Sequence, residues 1–139
     1  MEPLTTYEVR PVGHVFPPLR DPADAPRQGD EGAPDAWLVF EAGVGAALAD
    51  LAPGDDVLVL TWLDRADRDV LAVHPRGDPD RPIEGVFSTR SPHRPNPIGL
   101  HRVRILERDD LRLLVAGLEA LDGTPVLDVK PQLGGIDER

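Results

Sequence analysis

Between Gly85 and Leu100 the chain reads Gly-Val-Phe-Ser-Thr-Arg-Ser-Pro-His-Arg-Pro-Asn-Pro-Ile-Gly-Leu, with Pro92, Pro95 and Pro97 inside six residues. Each proline fixes its own φ and removes a backbone donor. Each also drives the residue before it (Ser91, Arg94, Asn96) toward extended or polyproline geometry. A helix is therefore excluded, and the backbone is stiff before any tertiary contact forms. Arg90, His93, Arg94 and Asn96 project from that frame. Such side chains bind carboxylates, phosphates and bases more readily than they fill a core. The segment reads as a ligand site.

Charge points the same way. From Gly85 through Leu106 there is no Asp or Glu, while Arg90, Arg94, Arg102 and Arg104 contribute +4 to a chain of net charge −10, so the remainder carries −14. A cationic island in an acidic protein suits an anion or an electron-rich group. The alternative is a surface loop whose arginines pair with local acids, and these 22 residues hold none.

The rest of the chain predicts many short elements. Its 139 residues fit one domain, 1–139, with a core over about 7–131 and a tail over 132–139. Sixteen prolines and 13 glycines exclude a helical bundle, and 4% aromatics leave Leu, Val and Ala to build the core. Tyr7–Phe16 reads as a first strand and 17–36 as a long connection containing Pro26-Arg27-Gln28. Trp37–Glu41 reads as a strand, and Ala42–Leu51 as a helix with Val44, Leu48 and Leu51 on one face. Val57–Leu63 is almost continuously apolar and predicts a strand buried on both faces. Val70–Val73 is a short strand. His101–Leu106 alternates, with Val103 and Ile105 inward and Arg102 and Arg104 outward. Glu107–Asp110 reads as a hairpin turn, Leu111–Leu118 as its return strand, Asp122–Pro125 as a turn and Val126–Val129 as a last strand. About seven strands and one or two short helices make a mainly β fold, a small antiparallel barrel.

Several function classes drop out. The absence of cysteine excludes disulfides and thiolate metal sites. His14, His74, His93 and His101 show no metal-ligand spacing, so no metal is expected; His101, on a strand, reads as an ordinary hydrogen-bonded histidine. No apolar run approaches the roughly 20 residues that span a bilayer, and Met1–Thr6 lacks a signal peptide's basic and apolar regions. A cytoplasmic protein without a membrane partner is expected. Gly43-x-Gly45 after a strand, with Asp64 further on, imitates a Rossmann nucleotide site, but the later chain turns to hairpins instead of alternating β and α. Ser88 and Ser91 lack a nucleophile-elbow context. Asp122 and Asp128 flank a turn, with Lys130 on the same strand face as Asp128. Spacing leaves two readings open: a surface ion pair, or a general base near a substrate.

Pro26-Arg27-Gln28, the segment from Gly85 to Leu100, and Asp122-Gly-Thr-Pro-Val-Leu-Asp-Val-Lys-Pro131 together resemble, in order and spacing from about Tyr7 to Pro131, the TsaA/TrmO family. The resemblance implies a β-barrel methyltransferase that uses S-adenosylmethionine, forms a homodimer, and methylates N6 of threonylcarbamoyladenosine next to the tRNA anticodon. It implies cofactor contacts from Pro26, Arg27, Gln28, Leu63, Asp64, Arg90, Leu100, Gly117, Leu118, Glu119 and Ala120. With it, Asp122 and Asp128 become candidate proton acceptors, and Arg94, Asn96, Arg102, Arg104 and Lys130 candidates for the tRNA side. The sequence departs from the family pattern at Leu63-Asp64, which replaces an aromatic–His pair, and at Gln132, which replaces a Tyr. Two other functions fit the same residues. One keeps the cofactor and methylates a small molecule or another RNA; the other is a non-catalytic S-adenosylmethionine-binding module.

Overall fold

The computed structural model describes residues 4–17 and 35–134. The triplet Pro26-Arg27-Gln28 lies outside them. Six strands close into an antiparallel barrel: β1 (Gly13–Phe16), β2 (Ala36–Phe40), β3 (Asp56–Trp62), β6 (Ile98–Asp109), β7 (Arg112–Ala116) and β8 (Pro125–Pro131). Their order around the barrel is β1-β2-β7-β6-β3-β8, and β8 returns to β1. A separate ribbon of two short strands, β4 (Ala72–Val73) and β5 (Glu84–Gly85), brings the count to eight. The mainly β, small-barrel expectation holds, with the strands divided between barrel and ribbon.

Alternation builds the interior. Val15, Leu38, Val57, Val59, Val103, Ile105, Leu113, Val115 and Val126 point inward from successive strands and are buried. Branched aliphatics dominate because a six-strand barrel leaves space for side chains but not for a lumen. Full burial of each contributes on the order of 1.5–3 kcal/mol. Two register shifts bend the strands for closure, at Ile105/Glu107 against β7 and at Leu60/Thr61 against β8. Gly13 lets β1 press on β2, since a Cβ there would sit 2.5 Å from the Val39 carbonyl oxygen.

Three expectations change in detail. β3 is buried on one face: Val57, Val59 and Thr61 are inside, while Leu58, Leu60 and Trp62 are half-exposed. The predicted helix is a 3-10 segment over Ala42–Leu48, closed by i→i+3 bonds such as Val44 N–H to the Glu41 carbonyl at 3.1 Å. Two glycines in so short a run weaken the α-helix, and the tighter coil still buries Leu48 under one barrel end. The hairpin between β6 and β7 turns later than predicted, at Asp110 and Leu111, with Asp110 at φ 54.

Candidate functional site

The proline-rich segment lies at the barrel end where β3 finishes and β6 begins, opposite the 3-10 segment. It follows a short 3-10 turn at Val86–Ser88 and is held from within. Arg94 donates to the carbonyls of Val86, Thr89 and Ser91 at 2.8, 3.0 and 2.9 Å. Arg68 lies over the Trp62 ring at 5.1 Å and donates to the Pro95 carbonyl and to Asn96 Oδ1. The Asp67 N–H donates to His93 Nδ1 at 3.0 Å, and the Leu63 N–H to the Pro97 carbonyl at 2.8 Å. Prolines set the local conformation and two arginines lock it.

Between this loop, Leu63–Ala66, the start of β6 and Glu119–Leu121 opens a cleft of about 840 Å³. Its walls are chemically mixed. Leu63, Phe87, Ile98, Leu100 and Leu121 give apolar surface, with Phe87 84% exposed beside it. Asp64 and Glu119 bring negative charge, Arg65 and Arg90 positive charge. Arg90 makes no ion pair among the described residues. At the floor, His101 Nε2 meets the Oγ1 of fully buried Thr61 at 2.8 Å. Gly99 makes room for the pair, because a Cβ there would stand 2.5 Å from Thr61 Oγ1 and 2.7 Å from His101 Nε2. Burial pushes the His101 pKa down, partly opposed by the Glu119 charge.

The structure sorts the residues singled out from sequence. Leu63, Asp64, Arg90, Leu100, Glu119 and Ala120 converge on the cleft from four segments distant in sequence. Gly117, at φ 93, and Leu118, packed in the core, only lead into that wall. Arg94 and Asn96 line the cleft, but the Arg94 guanidinium is committed to backbone carbonyls and Asn96 Oδ1 to Arg68. Arg102 and Arg104 lie on the outer face of β6 as predicted, away from the cleft. Arg104 grips Asp56 on β3 at 3.0 Å, and that hydrogen bond holds the Asp56 carboxyl below its usual range. The sequence neighbourhood held no acid for Arg104, but strand pairing supplies one. Lys130 pairs with Asp128 at 3.3 Å on the exposed face of β8, and Asp122 sits in the exposed turn before it. Neither aspartate lines the cleft.

Sequence reading gave no individual site role to Thr61, Gly99, Phe87 and Leu121, and took His101 for an ordinary hydrogen-bonded histidine. A signal for three of them was present: with Val103 and Ile105 inward, the two-residue period places His101 and Gly99 on the same face, and pairing places Thr61 opposite Gly99. Among the described residues, no group of three or more His, Cys, Asp or Glu side chains is placed to hold a metal ion, and no helix is long and apolar enough to cross a membrane.

The family described as the tRNA-methyltransferase O N-terminal domain matches residues 14–138. A probable S-adenosyl-L-methionine-binding protein of Archaeoglobus fulgidus is 45% identical over 134 residues, covering 96% of this chain and 36% of that protein. One of Methanothermobacter thermautotrophicus is 44% identical over 129 residues, covering 93% of this chain and 92% of the other. Among solved structures, a crystal structure of TrmO matches with a TM-score of 0.72 at 32% identity, covering 99% of this chain and 60% of that one. TrmO from Pseudomonas aeruginosa matches with a TM-score of 0.69 at 30% identity, covering 97% and 60%. The chain thus spans 36% of the Archaeoglobus protein and 60% of the TrmO chains.

Proposed function

This chain belongs to the tRNA-methyltransferase O N-terminal domain (TsaA/TrmO) family, and from that premise we propose that it is an S-adenosylmethionine-dependent methyltransferase. Its acceptor in this proposal is N6 of threonylcarbamoyladenosine beside the tRNA anticodon, and it works as a cytoplasmic homodimer. One observation carries the reading: the cleft at the barrel end joins an arginine without an ion pair among the described residues, two acids and an apolar wall around one stiff loop.

Those residues fit the cofactor's chemistry. Arg90 suits its carboxylate, a group that guanidinium binds in bidentate fashion. Asp64 and Glu119 favour a cation over a neutral thioether. Leu63, Leu100 and Leu121 offer surface to the flat adenine and exclude water from it. When bound, the cofactor supplies an electrophilic methyl carbon. The chain's contribution is to hold that carbon in line with the acceptor nitrogen, and a loop fixed by three prolines and two arginines is suited to such positioning.

A second reading keeps the cofactor and takes a smaller acceptor. Arg94, Arg104 and Lys130 are each engaged within the chain, which leaves Arg102 as the outward-facing cation of the RNA set without an ion pair among the described residues. Methyl-labelled S-adenosylmethionine, incubated with the protein and either bulk tRNA or RNA-free metabolites, separates the two. Label in tRNA, abolished by Arg90→Ala, is the expected result. Label confined to metabolites contradicts the tRNA assignment and leaves the cofactor assignment standing.

A further inference from the structure

His101 stands apart from the residues that the cofactor chemistry absorbs. Its ring lines the cleft, and its Nε2 is 2.8 Å from Thr61 Oγ1. Thr61 is fully buried, and this imidazole is the one hydrogen-bond partner of its hydroxyl among the described residues. If the hydroxyl accepted from an Nε2–H, its own proton would be left buried and unpaired. If it donates to Nε2, the buried hydroxyl proton is paired, and the ring proton is confined to Nδ1. Nδ1 has no partner among the described residues, yet no side-chain nitrogen there is both buried and unsatisfied. That nitrogen therefore reaches solvent, and the solvent space beside the ring is the cleft. Gly99 leaves the space the pair occupies, since a Cβ there would stand 2.5 Å from Thr61 Oγ1 and 2.7 Å from His101 Nε2.

We propose that His101 is an uncharged hydrogen-bond donor, fixed in its Nδ1–H tautomer by Thr61, that reads an uncharged acceptor atom of the bound ligand. The class is a ring nitrogen or a carbonyl oxygen. A carboxylate is the business of Arg90, and a neutral donor can stand near a cationic sulfonium without repelling it. Burial, which lowers the imidazole pKa and so favours the uncharged ring, suits that role. Such an atom occurs in two sources, the adenine of the cofactor and the nucleobase or carbamoyl group of the methyl acceptor. The inference rests on the cleft being the methyltransferase site.

Nitrogen NMR of the histidine-labelled full chain at pH 7 tests the tautomer. Nδ1–H is expected; Nε2–H or an imidazolium overturns the proposal. Binding of S-adenosylhomocysteine and the KM for tRNA are then compared in wild type, His101→Phe and His101→Asn, with thermal melts to confirm folding. Loss of the donor in His101→Phe is expected to weaken one of the two about tenfold, with partial recovery in His101→Asn. Weaker S-adenosylhomocysteine binding identifies the cofactor as the source; an unchanged affinity with a raised KM identifies the acceptor. If both stay within about twofold, the proposal is wrong. Thr61→Val, which keeps the packing, should populate both tautomers, and a ring still wholly Nδ1–H would remove Thr61 from the account. A wild type that binds S-adenosylhomocysteine but never labels tRNA fails the RNA assignment instead, and the tautomer and S-adenosylhomocysteine affinity then decide the inference.

Discussion

Gly99 and His101 are two residues apart on β6, and each constrains the other. A methyl group at position 99 would strike Thr61 Oγ1, which is fully buried, and His101 Nε2. Gly99→Ala is expected to cost on the order of 1–3 kcal/mol in denaturant unfolding, as overpacking does, and to weaken S-adenosylmethionine binding. Unchanged unfolding and unchanged affinity would show that the floor yields. His101 also links the site to pH. Its folded-state pKa is depressed by burial, so the folded protein binds fewer protons than the unfolded chain as pH falls. That contribution is complete above about pH 6.5 and is lost as pH drops through the lowered value. Glu119 is the charged group that opposes the shift, so Glu119→Gln should lower the pKa further and steepen the loss. Melting curves of wild type and His101→Phe between pH 5 and 8 check this: the variant's curve should be the flatter one.

At the scale of elements, the loop from Val86 to Pro97 is organised by arginines that the sequence offered as ligand binders. Arg94 ties together the carbonyls of Thr89, Ser91 and Val86, the last of which also accepts from the Thr89 N–H and hydroxyl. Arg94→Ala should therefore raise amide exchange across 86–96 and weaken cofactor binding about tenfold or more, while Arg94→Lys, with no planar fork, restores little. Full recovery by lysine would mean that charge alone matters there. Proline stiffness was legible in the sequence; the destination of each guanidinium was not, because those carbonyls become available only once the loop has closed. The alternation of β6 was equally legible. β3 misled because Leu58, Leu60 and Trp62 face outward yet are partly covered. Leu58 pairs across to Arg102 and Lys130, whose aliphatic stems can shield it, and Arg68 lies on Trp62. The hairpin was placed too early because Asp110 takes the left-handed conformation without a glycine to announce it.

For the whole molecule, barrel closure assembles the cleft. Leu63-Asp64 after β3, Arg90 in the loop, Leu100 on β6 and Glu119-Ala120 after β7 meet only when β3, β6 and β7 are paired. Sequence could name these residues through family resemblance but could not show them meeting, whereas it left Asp122 and Asp128 open and the structure puts both outside the cleft. Asp122→Asn should accordingly retain turnover within about threefold, well short of the 10²–10⁴ that general bases contribute. A larger loss at unchanged cofactor affinity would return the proton to Asp122. The overall charge of −10, with most of the candidate RNA cations engaged, predicts a shallow salt dependence of tRNA binding, with a log–log slope of about −1 to −2. A steep slope would show that other cations meet the RNA.

The most direct test of the central claim is calorimetric titration of S-adenosylmethionine into the purified chain and its Arg90→Ala variant. One saturable site per chain, weakened about tenfold or more by the substitution, is the predicted result. No binding, or an affinity indifferent to Arg90, would contradict the assignment of this cleft.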